Sequence, residues 1–170
     1  MTKISIQQSD ITKLKVDAIV NAANSALCGG GGVDGAIHKA AGKALLEECR
    51  KLKRCETGQA KITKGYNLPA KYVIHTVGPV WYGGHRNEES LLASCYKESF
   101  KLAVENYIQS IAFPAISCGA YKFPIEKACT IAIREIHTFL KTNTTINQVI
   151  ISCFDEKLMK TYNSILSKYH

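Results

Sequence analysis

The stretch from Val16 to Gly42, VDAIVNAANSALCGGGGVDGAIHKAAG, decides how the rest of the chain is read. A β-branched apolar run, Ala18 to Asn21, passes into a polar turn, then into four consecutive glycines, Gly29 to Gly32, then into helical periodicity. Glycine loses more conformational freedom on ordering than any other residue. Four in a row therefore point to backbone dihedrals closed to other residues, or to close approach of a second group. Successive N–H groups ahead of a helix N-terminus form an anion cradle, for which a diphosphate is a natural occupant. A flexible surface loop is the plainer alternative.

Two familiar phosphate loops do not fit. Gly30, Gly32 and Gly35 satisfy G-x-G-x-x-G, but eight residues separate Val20 from Gly29, and the following acids, Glu47 and Glu48, fall in a helical stretch. The dinucleotide fingerprint needs its first glycine directly after the strand and an acid on the next strand. A Walker A loop needs Lys and then Ser or Thr after its last glycine, where this chain has Ala36 and Ile37.

Outward from the loop, short β-branched runs alternate with amphipathic stretches, the pattern of an α/β sheet covered by helices on both faces. Candidate strands are Ile4 to Gln7, Ala18 to Asn21, Ala60 to Thr63, Tyr72 to Val77, Ser110 to Ala115 and Gln148 to Cys153. Candidate helices are Gly35 to Lys53, broken near Gly42, then Glu88 to Asn106, Ile125 to Lys141 and Lys157 to His170. With 170 residues and no linker, repeat or low-complexity segment, residues 1–170 read as a single domain.

Composition narrows the function classes. Apolar residues make up 46% and charged residues 21%, which excludes a disordered or fibrous chain. The net charge of +8 attracts nucleotides, nucleic acid and phosphorylated surfaces alike. Lys13, Lys15, Lys43, Lys51, Lys53 and Arg54 read as solvated faces with no nucleic-acid motif beside them, so a nucleic-acid partner is not expected. Seven cysteines without a C-x-x-C pair read as reduced thiols. No leader-like or membrane-length apolar run is evident, so a cytoplasmic monomer with no membrane association is expected.

NAAN at Asn21 to Asn24, GGGGVDGAIH at Gly29 to His38 and AAG at Ala40 to Gly42 resemble the macrodomain signature, in particular that of the MacroD-type ADP-ribosyl hydrolases. QQSDITKLKVDAIV, GYNLPAKYVIHTVGPVW, ENYIQSIAFPAIS and CFDE extend the resemblance over nearly the whole chain, with the nearest likeness to bacterial O-acetyl-ADP-ribose deacetylases. The resemblance implies a three-layer α/β/α sandwich around a mixed central sheet of about six strands, with ADP-ribose in a crevice at the strand ends.

Site residues follow from matching positions. Asp10, with the Ile11 amide beside it, is expected to receive the exocyclic amine of adenine; a helix cap is the alternative for its carboxylate. Phe154, at the end of the last strand, either stacks on the base or fills the core. Gly31, Gly32 and Val33 are expected to cradle the diphosphate, with Ser117, Cys118, Gly119, Ala120 and Tyr121 closing from the other side and Tyr121 along the distal ribose. Ser9, Cys118, Ala120 and Lys122 depart from the usual family pattern; Lys122 either pairs with a phosphate or points into solvent.

Asn24 and Asp34 stand ten residues apart, bracketing the glycines. The resemblance gives Asn24 the task of fixing a ribose hydroxyl and Asp34 that of orienting or deprotonating a water. A turn role for Asn24 and a helix cap for Asp34 are the competing readings. Most glycosidases need two carboxyl groups, because an alkoxide leaving group must be protonated. One well-placed acid suits a more labile ester, as in O-acetyl-ADP-ribose or ADP-ribose on Asp and Glu side chains of mono-ADP-ribosylated proteins. A substrate phosphate can assist as base, so some turnover is expected without Asp34. A non-catalytic module that reads ADP-ribose or its polymer is the alternative, and Asp34 argues against it. His38 and His75 read as packed, hydrogen-bonded residues rather than catalysts. No cofactor and no metal are expected, since the loop lacks the extra Cys and His ligands of the zinc-dependent branch.

Overall fold

A computed structural model describes residues 3–169. The order is β1 (Lys3–Gln8), a 3-10 turn (Ile11–Lys13), β2 (Ala18–Ala22), α1 (Gly32–Ala41), α2 (Lys43–Leu52), β3 (Ala60–Lys64), β4 (Tyr72–Thr76), α3 (Glu88–Glu105), β5 (Ser110–Phe113), α4 (Ile125–Thr142), β6 (Gln148–Cys153), α5 (Glu156–Leu166) and a closing 3-10 turn (Ser167–Tyr169). All six expected strands and every expected helix are present, with ends shifted by a few residues. The expected helical stretch from Gly35 to Lys53 starts earlier, at Gly32, and is broken at Gly42, whose φ of 91° stops α1 and starts α2. The last expected helix gives way to the 3-10 turn after Leu166, and His170, its expected end, lies outside the described residues.

The six strands form one sheet in the order β1-β6-β5-β2-β4-β3. Alternation along the strands feeds two cores. Ala18, Val20, Ile74, Ile111, Phe113, Val149 and Ile151 face α3, α4 and α5, whereas Ile19, Val73, Ala112 and Ile150 face α1 and α2. The arrangement is thus the expected helix–sheet–helix sandwich. Five strands are parallel; β3 alone runs antiparallel, against β4. The connection from Lys64 to Tyr72 is a tight loop closed by Gly65 N–H to Lys71 O at 2.8 Å, too short for the helical crossover that a parallel pair needs.

The sheet order also places the site. From β2 the chain moves toward β4 and β3, while from β5 it moves the opposite way, to β6. Neighbouring strands whose connections depart in opposite directions leave a crevice at their carboxyl ends. β2 and β5 pair only through Ala18 with Ile111 and Ile19 with Ala112, so they part beyond those residues.

Candidate functional site

A crevice of about 620 Å³ opens over the carboxyl ends of β1, β2, β5 and β6. Its walls bring together Asp10, Ile11, Asn24, Gly31, Gly32, Val33, Asp34, Ser117, Gly119, Ala120, Tyr121 and Phe154, which come from both ends and the middle of the chain. Cys118 is the expected site residue that does not line it. That side chain packs toward the α3–α5 core, where a hydrogen bond from Cys129 holds its thiol below the ordinary value. Lys122 is exposed and is not part of the crevice wall. The crevice also takes in Ala22, Ala23, Gly78, Ala115 and Ser152, which the sequence did not single out. They are small residues at strand ends, and no chemical type marks them.

At one end stand Asp10 and Phe154. Asp10 caps the 3-10 turn, its Oδ1 accepting from Thr12 N–H at 3.0 Å and Thr12 Oγ1 at 2.7 Å. These bonds, with Lys13 nearby, hold the carboxyl below its ordinary value despite a small opposing effect of desolvation, so it remains an acceptor. Capping thus occupies Oδ1 alone. Phe154 is 64% exposed, which excludes the core reading for this side chain. Between them, Ser9 Oγ and Ser152 Oγ lie 2.9 Å apart, and Ser152 Oγ donates to Ser9 O at 2.9 Å. Ser9 therefore ties β1 to β6 through its hydroxyl, as glycine would not.

The middle of the crevice lies between two loops. On one side Gly31 is the N-cap of α1, so Gly32, Val33 and Asp34 belong to its first turn, whose N–H groups have no intrahelical partners. A helix N-terminus of this kind favours anions. On the other side, the loop from Ser117 to Phe123 is closed by Phe123 N–H to Ser117 O at 3.0 Å. It is also tied to its neighbour by Trp81 N–H to Tyr121 O at 2.9 Å and by Ser117 Oγ donating to Pro79 O at 2.9 Å. The Ser117 side chain thus supports the loop.

At the far end Asn24 and Asp34 meet. Asn24 Nδ2 donates to Gly29 O at 2.8 Å, so the amide braces the glycine run while lining the crevice. Asp34 is only 6% exposed and stands in the first turn of α1, but it does not cap the helix. Its Oδ1 accepts from Asn21 Nδ2 at 2.8 Å and lies 3.4 Å from His38 Nε2, which is close but forms no aligned hydrogen bond. Its Oδ2 faces the glycines: a Cβ built on Gly30 would stand 3.4 Å from Asp34 Oδ2 and 3.5 Å from Asn24 Nδ2. One carboxylate oxygen is anchored below, and the other is turned toward the loop.

Other reactive side chains are poorly placed. Burial pushes the thiols of Cys49 and Cys95 up to about 11 and that of Cys153 to about 12, so they stay protonated. No group of three or more His, Cys, Asp and Glu able to hold a metal occurs among the described residues. No helix of the described residues is long and apolar enough to cross a membrane.

A sheet of this order, with a glycine-rich loop after its second strand and a crevice over its carboxyl strand ends, defines an α/β sandwich with its candidate site at the switch point of the sheet. The Macro domain family model matches residues 20–132, and the chain belongs to the macrodomain family. It is 57% identical to a Macro domain-containing protein of Methanosarcina mazei, over 98% of this chain and 89% of that one. It is 52% identical to an O-acetyl-ADP-ribose deacetylase of Escherichia fergusonii, over 98% and 97% of the two chains. It is 53% identical to the human ADP-ribose glycohydrolase MACROD2, over 98% of this chain but 40% of that longer protein. Among solved structures, the Oceanobacillus iheyensis macrodomain with ADP superposes with a TM-score of 0.95 at 40% identity, covering 99% of this chain and 92% of that one. The Trypanosoma brucei macrodomain in complex with ADP-ribose superposes with a TM-score of 0.90 at 43% identity, covering 95% and 68%.

Proposed function

We propose that the protein is a hydrolase that binds ADP-ribose and cleaves ester-linked derivatives of it, both O-acetyl-ADP-ribose and mono-ADP-ribosylated Asp or Glu side chains. The observation that carries this reading is the division of labour at Asp34, with Oδ1 held by Asn21 and Oδ2 turned toward Gly30. Names borne by relatives at 52% and 53% identity, a deacetylase of the O-acetyl nucleotide and an ADP-ribose glycohydrolase, support it.

In this reading adenine lies between the Asp10 carboxylate and the Phe154 ring, and the diphosphate lies between the first turn of α1 and the loop from Ser117 to Tyr121. The distal ribose then reaches Asn24 and Asp34. Asp34 Oδ2 accepts a hydrogen bond from a water and aims its lone pair at the ester. Attack at the carbonyl forms the new carbonyl C–O bond, with the water's proton passing to Asp34 and then to the expelled ribose oxygen; attack on the ribose side forms the new bond to the ribose carbon, with the water's proton passing to Asp34 and the acyl group leaving as a carboxylate. Both products are better accommodated by one carboxylate than cleavage of an N-glycoside would be, so the arginine-linked modification is not a substrate.

The test compares Asp34→Ala with the native protein on O-acetyl-ADP-ribose and on glutamate-linked and arginine-linked substrates, with ADP-ribose affinity read by calorimetry. A positioned base contributes roughly 100-fold or more. The variant is expected to lose about that factor in kcat while its Kd changes by no more than a few fold. Tight binding with no turnover by the native protein would leave a reader of ADP-ribose rather than an enzyme.

A further inference from the structure

Beneath the crevice, a line of buried polar side chains crosses three strands and ends on Asp34. Asn21 on β2 and His75 on β4 are register partners, both fully buried, and Asn21 Nδ2 lies 3.1 Å from His75 Nδ1. His75 Nε2 in turn lies 2.9 Å from Oγ1 of Thr63 on β3, which donates to Lys64 O at 3.1 Å. The proton positions on this line are determined from both ends. A carboxylate only accepts, so the Asn21 amide must present its N–H₂ to Asp34, and its second N–H is directed at His75 Nδ1. Thr63 has one hydroxyl proton and uses it on Lys64 O, so Oγ1 accepts from His75 Nε2–H. Both constraints require the same imidazole: neutral, protonated on Nε2 and bare on Nδ1.

The surroundings favour that state. Desolvation, reinforced by the His38 imidazole with its centroid 6.3 Å away, drives His75 down to about 3. Cys49 Sγ on α2 lies 3.8 Å from Nε2 and is itself held protonated. The arrangement carries a cost: Asn21 Oδ1 is buried without a partner. Turning the amide over would set that oxygen against Asp34 Oδ1, which offers no proton. The orphaned oxygen is the consequence of keeping both N–H groups in place.

We propose that His75 is a positioning residue for hydrolysis: its bare Nδ1 fixes the Asn21 amide, which holds Asp34 Oδ1 and so leaves Oδ2 aimed at the substrate. The inference rests on the catalytic reading of Asp34 given above. His75 does not line the crevice and touches no substrate. It acts by removing the alternatives open to the amide and, through it, to the carboxylate, which is preorganisation supplied from below the site.

Two substitutions separate this role from simple packing. The Oδ1 of an asparagine occupies the place of histidine Nδ1, whereas the polar end of a glutamine occupies the place of Nε2. His75→Asn keeps an acceptor for Asn21 and loses Thr63; His75→Gln keeps Thr63, fills more of the volume and loses the acceptor. The expected result on O-acetyl-ADP-ribose is a fall in kcat of about 10-fold or more for His75→Gln and of only a few fold for His75→Asn, with KM and the ADP-ribose Kd little changed in both. Equal losses, or a larger loss in His75→Asn, overturn the proposal, because packing alone favours the larger side chain. Imidazole nitrogen-15 shifts of the native protein supply a readout that needs no variant to fold: Nε2–H with bare Nδ1 is expected, and Nδ1–H overturns the proposal. Full activity of Asp34→Ala sinks the catalytic reading itself and this inference with it; a slow Asp34→Ala beside equal His75 variants sinks this inference alone.

Discussion

Gly35 lies against the carbonyl of Gly30 so closely that a Cβ built on it would stand 2.4 Å from Gly30 O. The glycine run therefore does more than lend freedom to the loop: its second residue is packed onto the start of α1. Gly31 differs, having extended backbone at φ −94° and nothing within 4 Å of its Cβ position.

The two glycines should accordingly fail in different ways. Gly35→Ala forces backbone apart, an overpacking that costs about 1–3 kcal/mol. For a chain of this size that lowers Tm by roughly 2–4 °C per kcal/mol, and the displaced loop weakens ADP-ribose binding. Gly31→Ala is expected to leave Tm unchanged and to weaken binding only by placing a methyl in the crevice. Thermal scans with and without ADP-ribose check both; a lowered Tm in Gly31→Ala would contradict the division.

Asp10 and Phe154 make a prediction about the base. Asp10 Oδ1 is committed to Thr12, which leaves Oδ2 for an exocyclic N–H₂. Inosine diphosphate ribose carries a carbonyl there and an N–H where adenine has a bare ring nitrogen, reversing the pattern toward both Asp10 and the Ile11 amide. Loss of a charge-assisted bond is worth about 1.5–3 kcal/mol, so calorimetry is expected to show about 10-fold weaker binding or more. Asp10→Asn should narrow that gap. Phe154→Ala should weaken both ligands alike, by about 1–3 kcal/mol, because every base presents a face for stacking. Equal affinity for the two nucleotides in the native protein would remove Asp10 from base selection.

What the sequence revealed and what it hid follow from the range of the forces involved. The amphipathic stripe of α4, Ala128, Ile131, Ala132 and Ile136, is a local periodicity and is buried as expected. The glycine run was legible because four glycines in a row are costly to order, whereas Asp34, in a setting where a helix cap is equally natural, was singled out by the family resemblance. The direction of β3 was open until the short return from Lys64 to Tyr72 made it antiparallel. The link from Thr63 through His75 and Asn21 to Asp34 depends on strand register, which no single segment encodes. The direction of the Cys118 side chain was hidden for a related reason. Its neighbours Ser117 and Gly119 line the crevice, but its own side chain turns toward Cys129, and that rotation is set by packing against α4.

Acid should destabilise the protein in two overlapping windows, the first opening at the higher pH. His75 has an ordinary value of 6.5 and is held near 3 when folded, so below 6.5 the unfolded chain binds a proton that the native state refuses. Stability then falls with falling pH, because it rises with pH wherever the unfolded state carries more protons. The loss begins as pH drops through 6.5 and continues toward 3, so only its upper part, down to about pH 5, precedes most carboxylate titration. Glu88 supplies the second window. Burial alone would raise this carboxyl, but backbone N–H groups of Tyr82, Glu88 itself, Gly84 and Arg86 outweigh it and bring it down to about 2 from 4.5. Its contribution is present above 4.5 and is lost toward 2. These bonds hold the segment that carries Trp81, whose N–H supports Tyr121 from behind the crevice wall. Native Tm is expected to decline between pH 7 and pH 5, more shallowly in His75→Asn, which has no imidazole to charge. Glu88→Gln is expected to lower Tm at pH 7 and to flatten the decline below pH 4.5 while leaving the upper window intact. Parallel Tm curves for native protein and His75→Asn from pH 7 to pH 5 would show that His75 is not held neutral by the fold.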